Sequence, residues 1–452
     1  VPTELEEALT AATSVSPLVQ KQIDPLLLEY QRRFAPLLAA IPAKQWGSTQ
    51  YFFNRRVSRP DAGGVVDGGA RPLGNSTYEQ AAFNIRLFQA VGAVTGFAQT
   101  VTRDLVGDLR QLEIDGTVQS MLWSIENDFI WGNDPATANG LYPICSGLDY
   151  LVSNFTPGTG SSAYTNSIDG AGATFTTKTL DSLMALVSAN AGLPVNGGSY
   201  MFIMSPAILG SVAQLLSSQQ RFMGEIEVAA GLIVPTYRGV PLVESSFLSP
   251  RANQMGAVTT ATATSGGTLA ATTYYYQVSA VIARFGEIQC STEVSQTTTG
   301  STSTVTLSFS TPTNMPDGAS PILYKVYRAT TTGNEVLVGT VDAFDTGGTA
   351  VTSIVDTGTN LLTNSSGVTG PSLYQGGNSG AKARGASMED IYLVPKDPNF
   401  FVRPYTRDMQ IIPLAPTTTS PDVLPFACVT DTCAALRGPK FAGRYSRLVS
   451  AV

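Results

Sequence analysis

The spacing of apolar residues changes character several times along the chain. Over residues 3 to 36, Leu26, Leu27, Leu28, Tyr30 and Phe34 form a stripe at helical spacing that Pro36 breaks, which predicts an amphipathic helical arm in two pieces. From Trp46 the period shortens. Tyr51 to Val57 and Ala82 to Val91 read as strands, the second alternating Phe83, Ile85 and Leu87 against Asn84 and Arg86. Between them lies SRPDAGGVVDGGARPLGNS, so the pair predicts a long hairpin with a flexible, glycine-rich tip.

Thr102 to Trp131 predicts one long helix. Leu105, Leu109 and Leu112 mark one stripe, and Val118, Leu122, Ile125 and Phe129 another. The phase shift between them, near Gly116, predicts a bend or two different neighbours for the two halves. Gly132 and Asn133 supply the stop. An α/β stretch follows: a helix over Leu180 to Ala191, a turn at Asn196-Gly197, and an apolar strand from Tyr200 to Met204. Ser205-Pro206 then starts a second helix over Ala207 to Leu216, and residues 237 to 247 read as a strand.

At about residue 253 charge thins out and Thr, Ser and Gly crowd in. Thr273 to Val281, Thr304 to Phe309 and Leu323 to Arg328 read as strands of an all-β sandwich, with the alternating Tyr274, Tyr276 and Val278 in its core. Mixed composition resumes after Ser379 with two more strands in MEDIYLVPKDPNFFVRPYTRDMQIIPL. The expected architecture is α+β, an α/β body interrupted by a self-contained β domain that stands off it, since a sandwich can bring its two ends together.

Composition narrows the chemistry. The 452 residues are 43% hydrophobic and only 13% charged, which suits a chain that hides much of its surface in contacts. With 27 basic against 34 acidic residues and a net charge of -7, no global field draws it to nucleic acid. There is no histidine, hence no Ser-His or Cys-His nucleophile and no histidine metal ligand. Cys145, Cys290, Cys428 and Cys433 lack zinc spacing and read as buried free thiols. The glycine tract lacks the G-K-[ST] ending of a phosphate loop. Glu225 and Glu227 share a strand face without a cleft, and read as solvated acids. Arg437, Lys440, Arg444 and Arg447 form a basic segment that would face DNA or a neighbouring subunit. No catalytic, cofactor or metal residues are expected, and no apolar run predicts a membrane span. Val1 is compatible with loss of an initiator Met or with trimming of a precursor.

The order of these parts resembles the major capsid proteins of tailed phages, with the Hong Kong 97-type fold, over residues 1 to 252 and 373 to 452. The resemblance rests on a helical arm, a long extended hairpin, VGAVTGFAQTVTRDLVGDL leading into a helix that ends at ENDFIWGN, then GLYPICS, MFIMSPAILGSVAQL and GEIEVAAGLIVPTYRGVPLVESS. The insert separately resembles immunoglobulin or fibronectin type III modules through GGTLAATTYYYQVSAVIARFGEIQCSTEVS and YKVYRATTTGNEVLVGTV. The resemblance implies an N-terminal arm over 1–45, an extended loop over 46–99, peripheral and axial domains with a spine helix over 100–252, the immunoglobulin-like sandwich over 253–372 and a return to the axial and peripheral domains over 373–452.

It further implies a shell of hexamers and pentamers around double-stranded DNA, built in the host cytoplasm with a portal and with scaffold or cement proteins. An encapsulin-like compartment and a surface adhesin are the alternatives. One branch of the family joins an extended-loop lysine to a neighbour's asparagine, but no lysine lies between Lys44 and Lys178. The loop carries Arg55, Arg56, Arg59, Arg71 and Arg86 instead, the expected intersubunit contacts.

Overall fold

The computed structural model describes residues 36–134, 143–153, 166–218, 224–248, 254–358, 362–364 and 388–450, less residues 57, 61, 72–73, 107, 197, 230–231, 284–285, 313–318 and 417–421. The arm expected over residues 3 to 36 lies outside these, save Pro36.

A short helix α1 (Leu37–Ala40) precedes strands β1 (Ala43–Gln45), β2 (Gln50–Arg56), β3 (Tyr78–Asn84) and β4 (Arg86–Thr95). The hairpin pairs β2 with β3, from Gln50 opposite Asn84 to Arg56 opposite Tyr78. The expected strand 82–91 is therefore two strands: its first residues belong to the hairpin, and β4 leaves for another sheet. Alternation continues unbroken across Ile85, so the pattern carries no sign of the change of partner.

Helices α2 (Gly96–Val106) and α3 (Leu109–Trp131) replace the single helix expected from Thr102. The break falls at Asp108, not Gly116, because the Asp108 carboxylate accepts from the amides of Arg110 and Gln111 and starts a new helix. Two different environments for the two halves are nevertheless present. Leu112 is exposed, whereas from Ile125 to Trp131 every residue of α3 is buried, Glu126, Asn127 and Asp128 included.

Next come α4 (Leu148–Ser153), β5 (Ser167–Asp169), α5 (Thr177–Ala191), β6 (Tyr200–Met204) and α6 (Pro206–Ser218). Pro206 opens α6 as its first residue, and the Ser205 hydroxyl accepts from the Ile208 amide. Strands β7 (Gly224–Ala229), β8 (Leu232–Tyr237) and β9 (Val240–Glu244) follow, so the strand expected over 237–247 is the end of β8, a tight turn with positive φ at Arg238 and Gly239, and β9.

The sandwich holds β10 (Val258–Ala263), β11 (Thr273–Ile282), β12 (Gly286–Glu287), β13 (Val294–Thr297), β14 (Thr304–Phe309), β15 (Pro321–Ala329), β16 (Val336–Asp342), β17 (Ser353–Asp356) and β18 (Leu362–Asn364). The chain closes with β19 (Met388–Pro395), β20 (Phe401–Pro413), β21 (Val423–Thr432), β22 (Ala435–Leu436) and β23 (Gly443–Val449).

A seven-stranded sheet in the order β5-β23-β19-β6-β9-β8-β7 packs against α5 and α6. A second sheet, β1-β20-β21-β4 with β22 on β20, packs against α3. Gly92 of β4 is required there, since a Cβ would meet the Phe426 ring at 2.4 Å. The sandwich is antiparallel: β10-β14-β17-β18 faces a sheet of β12, β11, β15 and β16 with β13 on β11. Tyr274, Tyr276 and Val278 lie in its core, as their alternation predicts.

The sandwich leaves the body from the strand ends at the middle of one sheet. Strand β9 runs parallel to β6 and β19 antiparallel to it, so the end of β9 and the start of β19 lie at the same end of these central strands. It does not, however, stand clear of the body. Its outer sheet face, with Val281 and Leu323, joins the core cluster of α3, and Tyr327, Leu337 and Cys290 pack against Tyr150. The backbone amide of Gly286 donates to Asn127 Oδ1 at 2.9 Å, and Asn133 Nδ2 donates to Thr340 Oγ1 at 2.6 Å. Gly286 has φ +81, and a Cβ there would meet Trp131 Nε1 at 2.6 Å and the Phe247 carbonyl oxygen at 2.7 Å. The strands of the insert alternate between two apolar faces, and only one of those faces is needed for its own core.

On the same helix, both Glu126 oxygens accept from the amides of Leu37 and Leu38, at 3.2 and 3.1 Å, and Ser245 Oγ donates to Oε1. Glu126 thereby caps α1 and ties it to the end of β9. Burial pushes the carboxyls of Glu126 and Asp128 up to about 8 each.

Two outcomes are expected. Both carboxyls hold their protons more tightly in the fold than in the unfolded chain, so their contribution is whole below about pH 4 and is lost as pH rises toward 8, at up to about 1.4 kcal/mol per pH unit for each group. Urea midpoints of the unassembled subunit should fall between pH 5 and 8; a rise across that range would refute the assignment. The docked sandwich should also unfold together with the body in one calorimetric transition. Trp131→Ala should lower that stability by about 3–5 kcal/mol, and two resolved transitions in the wild-type chain would show the sandwich to be independent.

Candidate functional site: the extended hairpin and the charges at its base

The β2–β3 hairpin is a two-stranded ribbon with two unlike faces. On one, Tyr51, Phe53 and Phe83 form a buried aromatic row, with Phe53 and Phe83 stacked at 5.6 Å and Trp46 edge-on to Tyr51 at 4.9 Å. On the other, Phe52 is 44% and Tyr78 62% exposed. Beyond Ser58 and Thr77, whose hydroxyls share a 2.9 Å hydrogen bond, the tip turns at Val66–Gly69 and leaves Val66 80% exposed. A two-stranded ribbon of this kind cannot cover its outer face alone.

The base of the ribbon is clamped. Asn84 Nδ2 donates to Asp134 at 2.7 Å, Arg86 forms an ion pair with the same carboxylate, and Arg437 donates to the Tyr51 hydroxyl. Of the five arginines singled out in the sequence, Arg86 is thus the hinge bolt of the hairpin and Arg55 is a bidentate partner of Glu79 on the facing strand, at 3.0 and 2.9 Å. Arg56 donates to the Tyr78 hydroxyl at 3.0 Å and lies over its ring. Arg71 packs over Gly63 within the tip, and Arg59 is exposed. The structure does not gather the five into one site. The spacing of arginines along a strand does not reveal that Glu79 and Asp134 stand opposite two of them.

The second sheet presents an open face beside the hairpin. Leu87 and Val91 of β4 and Ile412 of β20 are exposed apolar side chains there. Exposed apolar side chains also occur at the hairpin tip, on Val65 and Val66.

Three of the four basic residues of the C-terminal segment are engaged within the chain. Arg444 is buried with Asp390 and Asp149, Arg447 pairs with Asp169 at 2.7 Å, and Arg437 holds Tyr51, which leaves Lys440 exposed. The partners of these arginines are far away in sequence, so composition alone could not find them. Glu225 and Glu227 lie exposed on the edge strand β7.

A buried charge cluster, absent from the sequence-based expectations, joins sandwich to body. Lys325 of β15 reaches Asp149 of α4 at 2.5 Å and Glu287 of β12 at 3.0 Å, and Arg444 of β23 reaches Asp149 at 2.9 Å and Asp390 at 2.6 Å. Burial alone would pull the Lys325 ammonium down, but Asp149 and Glu287 together hold it above its ordinary value. A lysine in a sandwich strand otherwise reads as a solvent-facing residue.

The four cysteines are free and buried, and among the described residues no group of His, Cys, Asp and Glu is placed to hold a metal ion. Nor is any helix long and apolar enough to cross a membrane among them. The candidate site is the outward face of the hairpin with the charges at its base.

Comparison with known proteins agrees. No curated protein matches the chain. Among solved structures, the capsid asymmetric unit of cyanophage A-1(L) aligns with a TM-score of 0.51 at 10% identity, covering 97% of this chain and 99% of that one. The capsid of cyanophage P-SCSP1u aligns at 0.47 with 10% identity over 100% and 99%, and the SrpI encapsulin of Synechococcus elongatus at 0.45 with 9% identity over 98% of each chain. The first of these shows a shared phage-capsid fold, as expected from the order of arm, hairpin, spine helix and sheets. A model of the SU10 major capsid protein family matches residues 36–293, more than half of the 452, and the chain therefore belongs to that family of major capsid proteins.

Proposed function

We propose that copies of this chain associate as hexamers and pentamers that close into an icosahedral shell around double-stranded DNA, each hairpin lapping a neighbouring subunit. The observation that carries the reading is the hairpin itself: a ribbon locked at its base by Asp134, with Phe52, Val66 and Tyr78 left facing outward. Rigid at the root and apolar on its free face, it is built to be covered by another copy.

Arg59, exposed near the tip, is the arginine we assign to a carboxylate of a neighbouring subunit. The role is structural, with no catalytic turnover, and the DNA is enclosed without sequence-specific contact, in keeping with the net charge of -7. Assembly in the host cytoplasm, with a portal and with scaffold or cement proteins, completes the reading. The two antiparallel sheets support an immunoglobulin-like sandwich over residues 253–372.

Deleting residues 64 to 71 should leave the subunit folded, with an unchanged circular dichroism spectrum, while electron microscopy finds few or no closed particles. Normal particle yield from that deletion would remove the hairpin from the assembly mechanism.

A further inference from the structure

The cluster between sandwich and body holds three groups in an arrangement that charge balance alone does not require. Lys325 Nζ touches Asp149 Oδ2 at 2.5 Å and Glu287 Oε2 at 3.0 Å, and the three side chains are 4%, 7% and 1% exposed. The other Asp149 oxygen, Oδ1, accepts from Arg444 Nη1 at 2.9 Å and from the Tyr392 hydroxyl at 3.4 Å. Glu287 Oε1 accepts from Ser279 Oγ at 2.6 Å and from the Tyr327 hydroxyl at 2.7 Å, which keeps Oε2 turned to the lysine. The Trp131 ring lies 5.2 Å from Nζ.

We propose that Lys325 and Asp149 are a modification site, at which the chain condenses with itself to an amide joining the sandwich to the body. An amine, a carboxyl carbon with one oxygen held by cationic and hydroxyl donors, and a second carboxylate to carry a proton are the parts such a reaction needs.

The steps balance without any further reactant. One proton of the Lys325 ammonium passes to Asp149 Oδ2. The nitrogen lone pair then attacks Asp149 Cγ, and the charge that gathers on Oδ1 is met by Arg444 and Tyr392. Glu287 takes the second proton from nitrogen and returns it to the Oδ2 hydroxyl. The Cγ–Oδ2 bond breaks, water leaves, and an N–Cγ amide bond remains. The ammonium and carboxylate disappear together and Glu287 ends as it began.

Two effects favour the product. Holding an ammonium and a carboxylate away from water is costly, and the amide abolishes both charges. Fixed contact also replaces an encounter in solution, where well-oriented groups reach effective concentrations of about 10⁵–10⁸ M. The reaction differs in place and kind from a loop-to-neighbour cross-link, for which residues 47 to 100 hold no lysine.

The test is the mass of the purified full-length chain under denaturing conditions, followed by a proteolytic map. The expected wild-type mass is one water below that of the sequence, with one branched peptide containing both Lys325 and Asp149. Glu287→Gln should restore the full mass. Asp149→Asn should form the same amide with loss of ammonia in place of water. A wild-type chain at its full sequence mass, with Lys325 and Asp149 on separate linear peptides, would overturn the proposal whatever the variants do.

Discussion

The last two turns of the spine helix α3 are the contact on which the rest of the chain depends. Three polar residues at this end hold three different parts of the molecule: Glu126 caps α1, Asn127 receives the Gly286 amide of the sandwich, and just past the helix end Asn133 donates to Thr340. Asp134 then secures the base of the hairpin through Asn84 and Arg86. Between them Trp131, buried, donates to the Phe247 carbonyl and lies beside Lys325. A buried polar group without a partner costs about 1–3 kcal/mol, so this run tolerates no other arrangement of its neighbours.

That constraint explains why the sandwich is not a loose appendage. One face of its second sheet supplies its own core, and the opposite face completes the core around α3. Removing the sandwich would leave Trp131, Phe247 and the charges of Asp149 and Arg444 facing water. The ion cluster adds direction to an otherwise apolar contact, since Lys325 has its carboxylates in one docking position only.

The same helix connects the buried interior to the assembly surface. Asp134 follows the helix end and grips the hairpin root, so the orientation of the ribbon is set by the packing of α3 and not by the ribbon's own two strands. Beyond Arg55 and Glu79 the hairpin has few internal contacts, and there its apolar side chains turn outward. A rigid root with an uncovered outer face suits a major capsid protein, whose subunits complete one another's surfaces.

By itself the sequence determined element type wherever one periodicity ran uninterrupted: the apolar strand Tyr200–Met204, the helix opened by Ser205-Pro206, the alternating core of Tyr274, Tyr276 and Val278, and the order of parts that marks the family. Local free energy is enough for these, because the pattern and the turn chemistry reside in neighbouring residues. Tertiary structure alone decided partners. Alternation through Ile85 is the same whether a strand stays in the hairpin or crosses to β21, and Asp108 starts a new helix through a side-chain cap that an apolar stripe does not register. Glu126, Asn127 and Asp128 are polar side chains in a run that is buried, and Arg55, Arg86, Arg444 and Arg447 read as surface charges and are held by carboxylates of the same chain. For Arg86, Arg444 and Arg447 those carboxylates lie 48 residues away or more, Arg447 and Asp169 being 278 apart, and no local pattern records a contact made at that separation.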